Sequence, residues 1–277
     1  MVLLYIPPVQ NLLRREVTAY ASKATGMQIQ VERIDLRFPL NLLVRGVEVI
    51  QQPDTLLSLE SLNVRVQAWP LLKGKVEVDD VTLSQVAVNS ADLIEGMQIK
   101  GVLGRFFLQS HGVDLSNETA VVNRAELSDT HIQLLMNDTT TAPKDTTASA
   151  PVNWKVDLHQ LKLKNISFDM QLPADSLKMS AYIGEATVDD AKADLKNQFY
   201  GLRQFLLSGA SASYDTGEAG PTEGFDASHM AVRNIRIGLD SLLYEGRNMN
   251  AVIREITMEE RSGLSITSLA GRVYSND

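Results

Sequence analysis

Along VEVDDVTLSQVAVN, residues 76 to 89, the apolar side chains fall at Val76, Val78, Val81, Leu83, Val86 and Val88, with gaps of two, three, two, three and two. Wound as a helix at about 100° per residue, these positions scatter around the whole circumference. A plain strand fails too, because one extra residue sends everything after it to the opposite face. The pattern predicts strands in which a β-bulge or tight corner absorbs the additional residue.

The phrase recurs. VDLHQLKLKNISFDM repeats it through Val156, Leu158, Leu161, Leu163, Ile166, Phe168 and Met170, and AVVNRAELSDTHIQL does so through Ala120, Val122, Ala125, Leu127, Thr130, Ile132 and Leu134. Shorter echoes fall at Leu42, Val44, Val47 and Val49, and at Met230, Val232, Ile235 and Ile237. Repetition of one phrase predicts stacked, similar β units. A pentapeptide β-helix shares the local period but requires small residues at its inner corners, where this chain places Val, Leu and Phe.

One stretch has helical spacing instead. After Pro7-Pro8, the residues Val9, Leu12, Leu13, Val17 and Tyr20 form an apolar stripe, Pro8 suits a first helical turn and Gly26 a C-terminal cap. An amphipathic helix is expected over 8–26, preceded at 1–7 by Val2, Leu3, Leu4, Tyr5 and Ile6, which read as the remnant of a membrane anchor. Six residues fall far short of the roughly 20 a span requires. The helix is expected to cover the first sheet edge.

From residue 27 the chain reads as β. A first segment spans 27–136, and a Thr-, Ser- and Pro-rich loop occupies 137–153. A second segment, 154–277, resumes the same rhythm at once, so the loop is an insertion in one continuous sheet. Helices long enough for parallel crossovers are missing between the runs, which predicts an antiparallel meander. The segment DDAKADLKNQFYGL (189–202) is expected to be strand, turn, strand. LSITSLAGRVYS ends without gatekeeping charges, an open edge expected of a fragment of a longer β protein. The fold class is thus mainly all-β: an elongated, curved antiparallel groove with one N-terminal helix. A sandwich-type adhesin or scaffold module is the alternative, differing in that its second sheet would fill the apolar face.

Composition narrows the function. The formal net charge of −8 and the absence of a Lys/Arg cluster argue against nucleic acid. Cysteine is absent, and His111, His131, His159 and His229 lack ligand spacing. No cofactor is expected. The pairs Asp79-Asp80, Asp189-Asp190 and Glu259-Glu260 sit in or beside strands, where adjacent side chains point to opposite faces and cannot form a catalytic dyad. GVLG (101–104) lacks the rest of a phosphate cradle and reads as a bulge or a close backbone approach in a strand. No enzyme is expected.

The order of features resembles the AsmA-like/TamB proteins of Gram-negative envelopes. The likeness rests on IPPVQNLLRREVTAYASKATG, Asp54-Thr55-Leu56-Leu57, Leu71-Leu72-Lys73-Gly74, the V-x-L-x-x-V-x-V phrase and MEERSGLSITSLAGRV. The resemblance implies a periplasmic protein anchored in the inner membrane, whose taco-shaped groove conducts phospholipid acyl chains toward the outer membrane. It also implies a link to outer-membrane protein assembly through a barrel partner. The groove or core lining is expected at Val76, Val78, Val81, Leu83, Val86, Val88, Val156, Leu158, Leu161, Leu163, Ile166 and Phe168.

Overall fold

The computed structural model describes residues 7–276 except 39, 68–77, 92, 115–116, 138–152 and 218, with side chains from Arg14 onward apart from 17 and 113. The anchor remnant Val2 to Ile6 and Val76 lie outside the described residues, as do the side chains of Val9, Leu12, Leu13 and Val17.

The helix α1 spans Pro7–Thr25. It is followed by β1 (Gln28–Arg37), β2 (Asn41–Gln51), β3 (Asp54–Val66), β4 (Val78–Asn89), β5 (Met97–Asp114) and β6 (Thr119–Met136). After the link come β7 (Lys155–Leu172), β8 (Leu177–Asp194), β9 (Phe199–Asp215), β10 (His229–Glu245), β11 (Asn248–Glu260) and β12 (Ser265–Ser275). All twelve belong to one open sheet in sequence order, so the all-β, curved, non-barrel architecture holds. The sandwich is not this chain's architecture, since every described strand lies in that single sheet. Residues 189–202 are strand, turn and strand, with the turn between Asp194 and Phe199.

The meander is broken once. β6 and β7 pair in parallel, with Thr119 opposite Lys155 and Leu135 opposite Gln171. The expectation of a wholly antiparallel sheet is corrected here, and the reason lies in the intervening sequence. A short turn can only reverse the chain, whereas 18 residues between Met136 and Lys155 suffice to bring it back along a strand.

The two-three rhythm is also resolved differently from a bulge. Pairing runs Val31 to Val47 and Arg33 to Arg45, skipping Glu32 and Gly46 without changing register. The skip continues at Glu60 and Gln85, then at Gly104 and Asp129. It passes through Asn165 and Gly184 to Gly209 and Asn234. The row thus has a member in each of ten neighbouring strands: one residue is left out of each pairing from β1 to β8, two from each strand between β8 and β9, and the register shifts around Asn234 in β10. Six of the ten are left-handed: Gly46, Gln85, Asp129, Asn165, Gly209 and Asn234, with φ from 49 to 62°. A left-handed residue reverses the alternation, so the apolar residues on either side of the three-residue gap share a face. In β7 both gap residues, Lys164 and Asn165, are exposed while Leu163 and Ile166 are half-buried; Ser208 and Gly209 in β9 repeat this. From β1 to β9 no two-against-one bulge is needed at this row, because each neighbour carries the same extra residues; from β9 to β12 the register does shift at the gaps, as a bulge predicts.

The row also explains GVLG. A Cβ on Gly104 would stand 2.7 Å from the Cβ of Asp129 and 3.0 Å from its carbonyl oxygen, while one on Gly101 would meet only the His131 oxygen at 3.6 Å. Gly104→Val is expected to destabilise the protein by about 1–3 kcal/mol through overpacking. Gly101→Ala should leave the urea midpoint nearly unchanged, and equal midpoints for the two variants would refute the assignment.

At the first edge, α1 packs against β1. Arg14 Nη1 donates to the carbonyl oxygens of Glu32 (2.8 Å) and Val31 (3.4 Å), and Ser22 Oγ accepts from the Ile29 amide (3.0 Å). These are backbone groups of an edge strand, which otherwise offers a template for another chain. Tyr20, assigned above to the apolar stripe, instead points to solvent at 77% exposure.

Candidate functional site: the uncovered apolar face

Directly opposed residues in a sheet share a face. One cross-strand row runs Ile34, Val44, Leu62, Leu83, Phe106, Leu127, Leu163, Ala186, Leu207, Ile237, Ile256 and Leu269, one apolar residue from every strand. At about 4.8 Å per strand it extends about 53 Å. A neighbouring row runs Val64, Val81, Leu108, Ala125, Leu161, Val188, Phe205 and Leu239. Across the crease lie Val47, Leu59, Val86 and Leu103, and then Ile166 opposite Ile183.

No other described element covers these rows. The buried apolar residues are Leu56, Ala125, Ala186, Ala210 and Ala251, and no large side chain is fully buried among the described residues. Ala186, 3% exposed, lies between Leu163 and Leu207. Among the described residues no second layer stands over it, so a small side chain is hidden by taller neighbours on its own face. The accessible surface totals 17991 Å². A compact protein of 30.5 kDa would expose about 11,800 Å².

Of the expected lining residues, Val78, Val81, Leu83, Val86, Val156, Leu158, Leu161, Leu163, Ile166 and Phe168 are half-buried, and Val88 is exposed. Register brings together Leu161 with Ala125 and Val188, and Leu163 with Leu127 and Ala186. Sequence spacing overlooked β8 and β9, whose contribution alternates alanine with larger residues: Ala181, Ala186, Ala191 and Ala193 face Ala212, Leu207, Leu202 and Tyr200. The available signal was the same two-three rhythm, written in β8 with small residues at Ala181, Ile183, Ala186, Val188, Ala191 and Ala193.

The opposite face is polar. Glu126 stands opposite Lys162, Lys164 opposite Glu185, and Lys155 Nζ lies 3.1 Å from Asp194. Exposed pairs of this kind contribute about 0–1 kcal/mol each. Each member of the carboxylate pairs has a partner of its own. Asp80 meets Arg65 and Asp79 accepts from Gln67 (2.7 Å); Asp189 accepts from Gln160 (3.3 Å) while Asp190 accepts from Arg203 (2.7 Å) and contacts His159 (3.2 Å). The Arg203 guanidinium, followed by His159, holds the Asp190 carboxyl below the usual carboxylate range. Glu259 pairs with Arg233 (3.1 Å), and Glu260 accepts from the Ser262 amide (2.7 Å). Among the described residues no group of three or more His, Asp or Glu could hold a metal ion.

At one rim, Asp226 organises the connection between β9 and β10. Its carboxylate accepts from the amides of Thr222 (3.0 Å) and Ser228 (2.9 Å) and contacts His229 Nδ1 (3.1 Å). The Thr222 amide above all, with the Ser228 amide, depresses its pKa far below the usual range. A depressed carboxylate contributes stability above its unfolded pKa, about 3.9, and loses it as pH falls through the folded value. The Thr222 and Ser228 amide resonances are therefore expected to hold steady from pH 7 to about 4 and to shift only below. Asp226→Asn should abolish that acid transition, whereas a transition persisting in the variant would assign it elsewhere.

Fold and face define the class: a single-layer open β-sheet with one apolar and one polar surface. No protein-family model matches the chain, and no curated protein is significantly similar to it. Among the described residues no helix is long and apolar enough to cross a membrane.

Proposed function

We propose that this chain is a periplasmic trough that shields phospholipid acyl chains between the inner and outer membranes, as its resemblance to the AsmA-like/TamB proteins implies. One observation carries the reading: an apolar row about 53 Å long that no other described element covers. Acyl chains of one leaflet measure about 15 Å, half the hydrocarbon core, so several fit end to end. Each buried methylene contributes about 0.8 kcal/mol. No step in such transfer requires a catalytic group in this chain. In this reading an N-terminal anchor holds α1 at the inner membrane, and any barrel partner in outer-membrane protein assembly is engaged elsewhere. As in that family, groove segments of this kind would stack.

Mass spectrometry of lipid retained after purification in mild detergent and exhaustive washing tests the proposal. Retained phospholipid is expected, in the same molar ratio for the whole chain and for a version beginning at Gly26, because α1 bonds the β1 edge. A lipid-free, monomeric protein in both cases would defeat the proposal.

A further inference from the structure

We propose that the row of skipped residues is a hinge line about which the two flanks of the sheet rotate, setting how wide the trough opens. The inference does not depend on what the trough carries.

Where residues pair, bending the sheet about an axis perpendicular to the strands disturbs the ladder; two lines escape this, the row described above and a second through His111, Asn123, His159, Asp190 and Arg203. Along the first of them the pairing is already absent, from Glu32 opposite Gly46 through Asn165 opposite Gly184. Changes of φ and ψ there break no ladder pair. Strain points the same way. Gln85, Asp129, Asn165 and Asn234 are non-glycine residues held at φ 49 to 55°, a conformation unfavourable for an L residue. Relaxing any one of them to an extended strand would invert the alternation beyond it and carry the apolar residues to the polar face. Motion is therefore confined to changes of angle within the left-handed well. Adjacent members sit about 4.8 Å apart, so ten strands must move together.

A second line, five residues further along each strand, makes the contrast. There the chain is braced on the polar face: His159 and Arg203 both hold Asp190, Asn123 bonds His111 at 2.5 Å, and Arg254 lies 3.4 Å from Asp240. The first row carries one recorded brace, Asn165 Nδ2 donating to Asp129 Oδ1 at 2.8 Å, and its glycines have no side chain to offer.

The chain contains no cysteine, so spin labels can be placed at will. Lys178, near the start of β8, and Lys196, in the turn after it, are both exposed and lie on either side of Gly184; Glu185 and Lys196 lie on one side and span only the braced line. In the lipid-free whole chain, pulsed electron paramagnetic resonance on Lys178→Cys/Lys196→Cys is expected to give a distance distribution at least twice as wide as Glu185→Cys/Lys196→Cys. Adding Asn165→Gly, which removes the brace, should widen the first and not the second. Equal widths for the two pairs, narrow or broad, would overturn the hinge. A first distribution unaltered by Asn165→Gly would do the same.

Discussion

Leu127→Glu/Leu163→Glu is expected to weaken acyl-chain binding at least ten-fold while leaving the sheet folded. The two leucines are directly opposed at the parallel junction in the middle of the longest apolar row. Both are half-buried. Full burial of a leucine is worth about 1.5–3 kcal/mol, so a half-buried one contributes about half of that to folding. A glutamate on an uncovered face keeps its hydration, whereas in a filled core it would be an unpaired buried charge. Binding suffers more than folding does. A bound chain would lose contact for about two or three methylenes, roughly 2 kcal/mol, and 1.4 kcal/mol is already a factor of ten. Circular dichroism and displacement of a fluorescent fatty acid read the two effects separately. Unfolding of the double variant would mean the face is covered after all, and undiminished binding would move the ligand elsewhere.

Deleting six residues from the link between β6 and β7 should unfasten the sheet at its centre. The Asn137 amide donates to the Gly96 oxygen at one rim (2.8 Å), and the Asn153 amide to Glu118 Oε2 at the other (3.1 Å). β6 has 18 residues, about 56 Å from end to end. Sixteen residue steps from Asn137 to Asn153 reach about 53–58 Å when extended. Removing six leaves ten steps and about 33–36 Å, well short of the rim. Amide exchange protection in β6 and β7 is then expected to fall to that of free edge strands. Inserting six Gly and Ser residues should cost well under 1 kcal/mol, because loop entropy grows slowly with length. A deletion variant with unchanged protection at Leu161 and Leu163 would disprove the geometry.

Much of this was legible from side-chain spacing. Val81, Leu83, Val86 and Val88 announce a strand with one residue too many, and the same announcement at Leu161, Leu163, Ile166 and Phe168 marks a repeated unit. Pro8 and Gly26 bracket the helix closely. What spacing misread, from β1 to β9, was the device at the gap; between β9 and β12 the register shifts as a bulge predicts. A bulge in one strand and a left-handed residue matched by its neighbour leave the same trace in a single strand, because both preserve the face. The outward turn of Tyr20 was hidden for a related reason: a helical stripe defines a face but not which residues of it meet a partner.

The sequence alone determined that the chain is β, that its apolar residues share a face despite an irregular period, and that a helix precedes the first strand. Each of these follows from local spacing and backbone preference, which are properties of neighbours along the chain. Tertiary structure decided that Gly46, Gln85, Asp129 and Asn165 fall into one line, that β6 and β7 run in parallel, and that no second described layer closes over Leu127 and Leu163. These depend on register between distant residues and on the length of the 137–153 link against the length of β6. A hydrophobic pattern specifies which face is to be shielded from water, and only the assembled sheet settles whether the chain itself does the shielding.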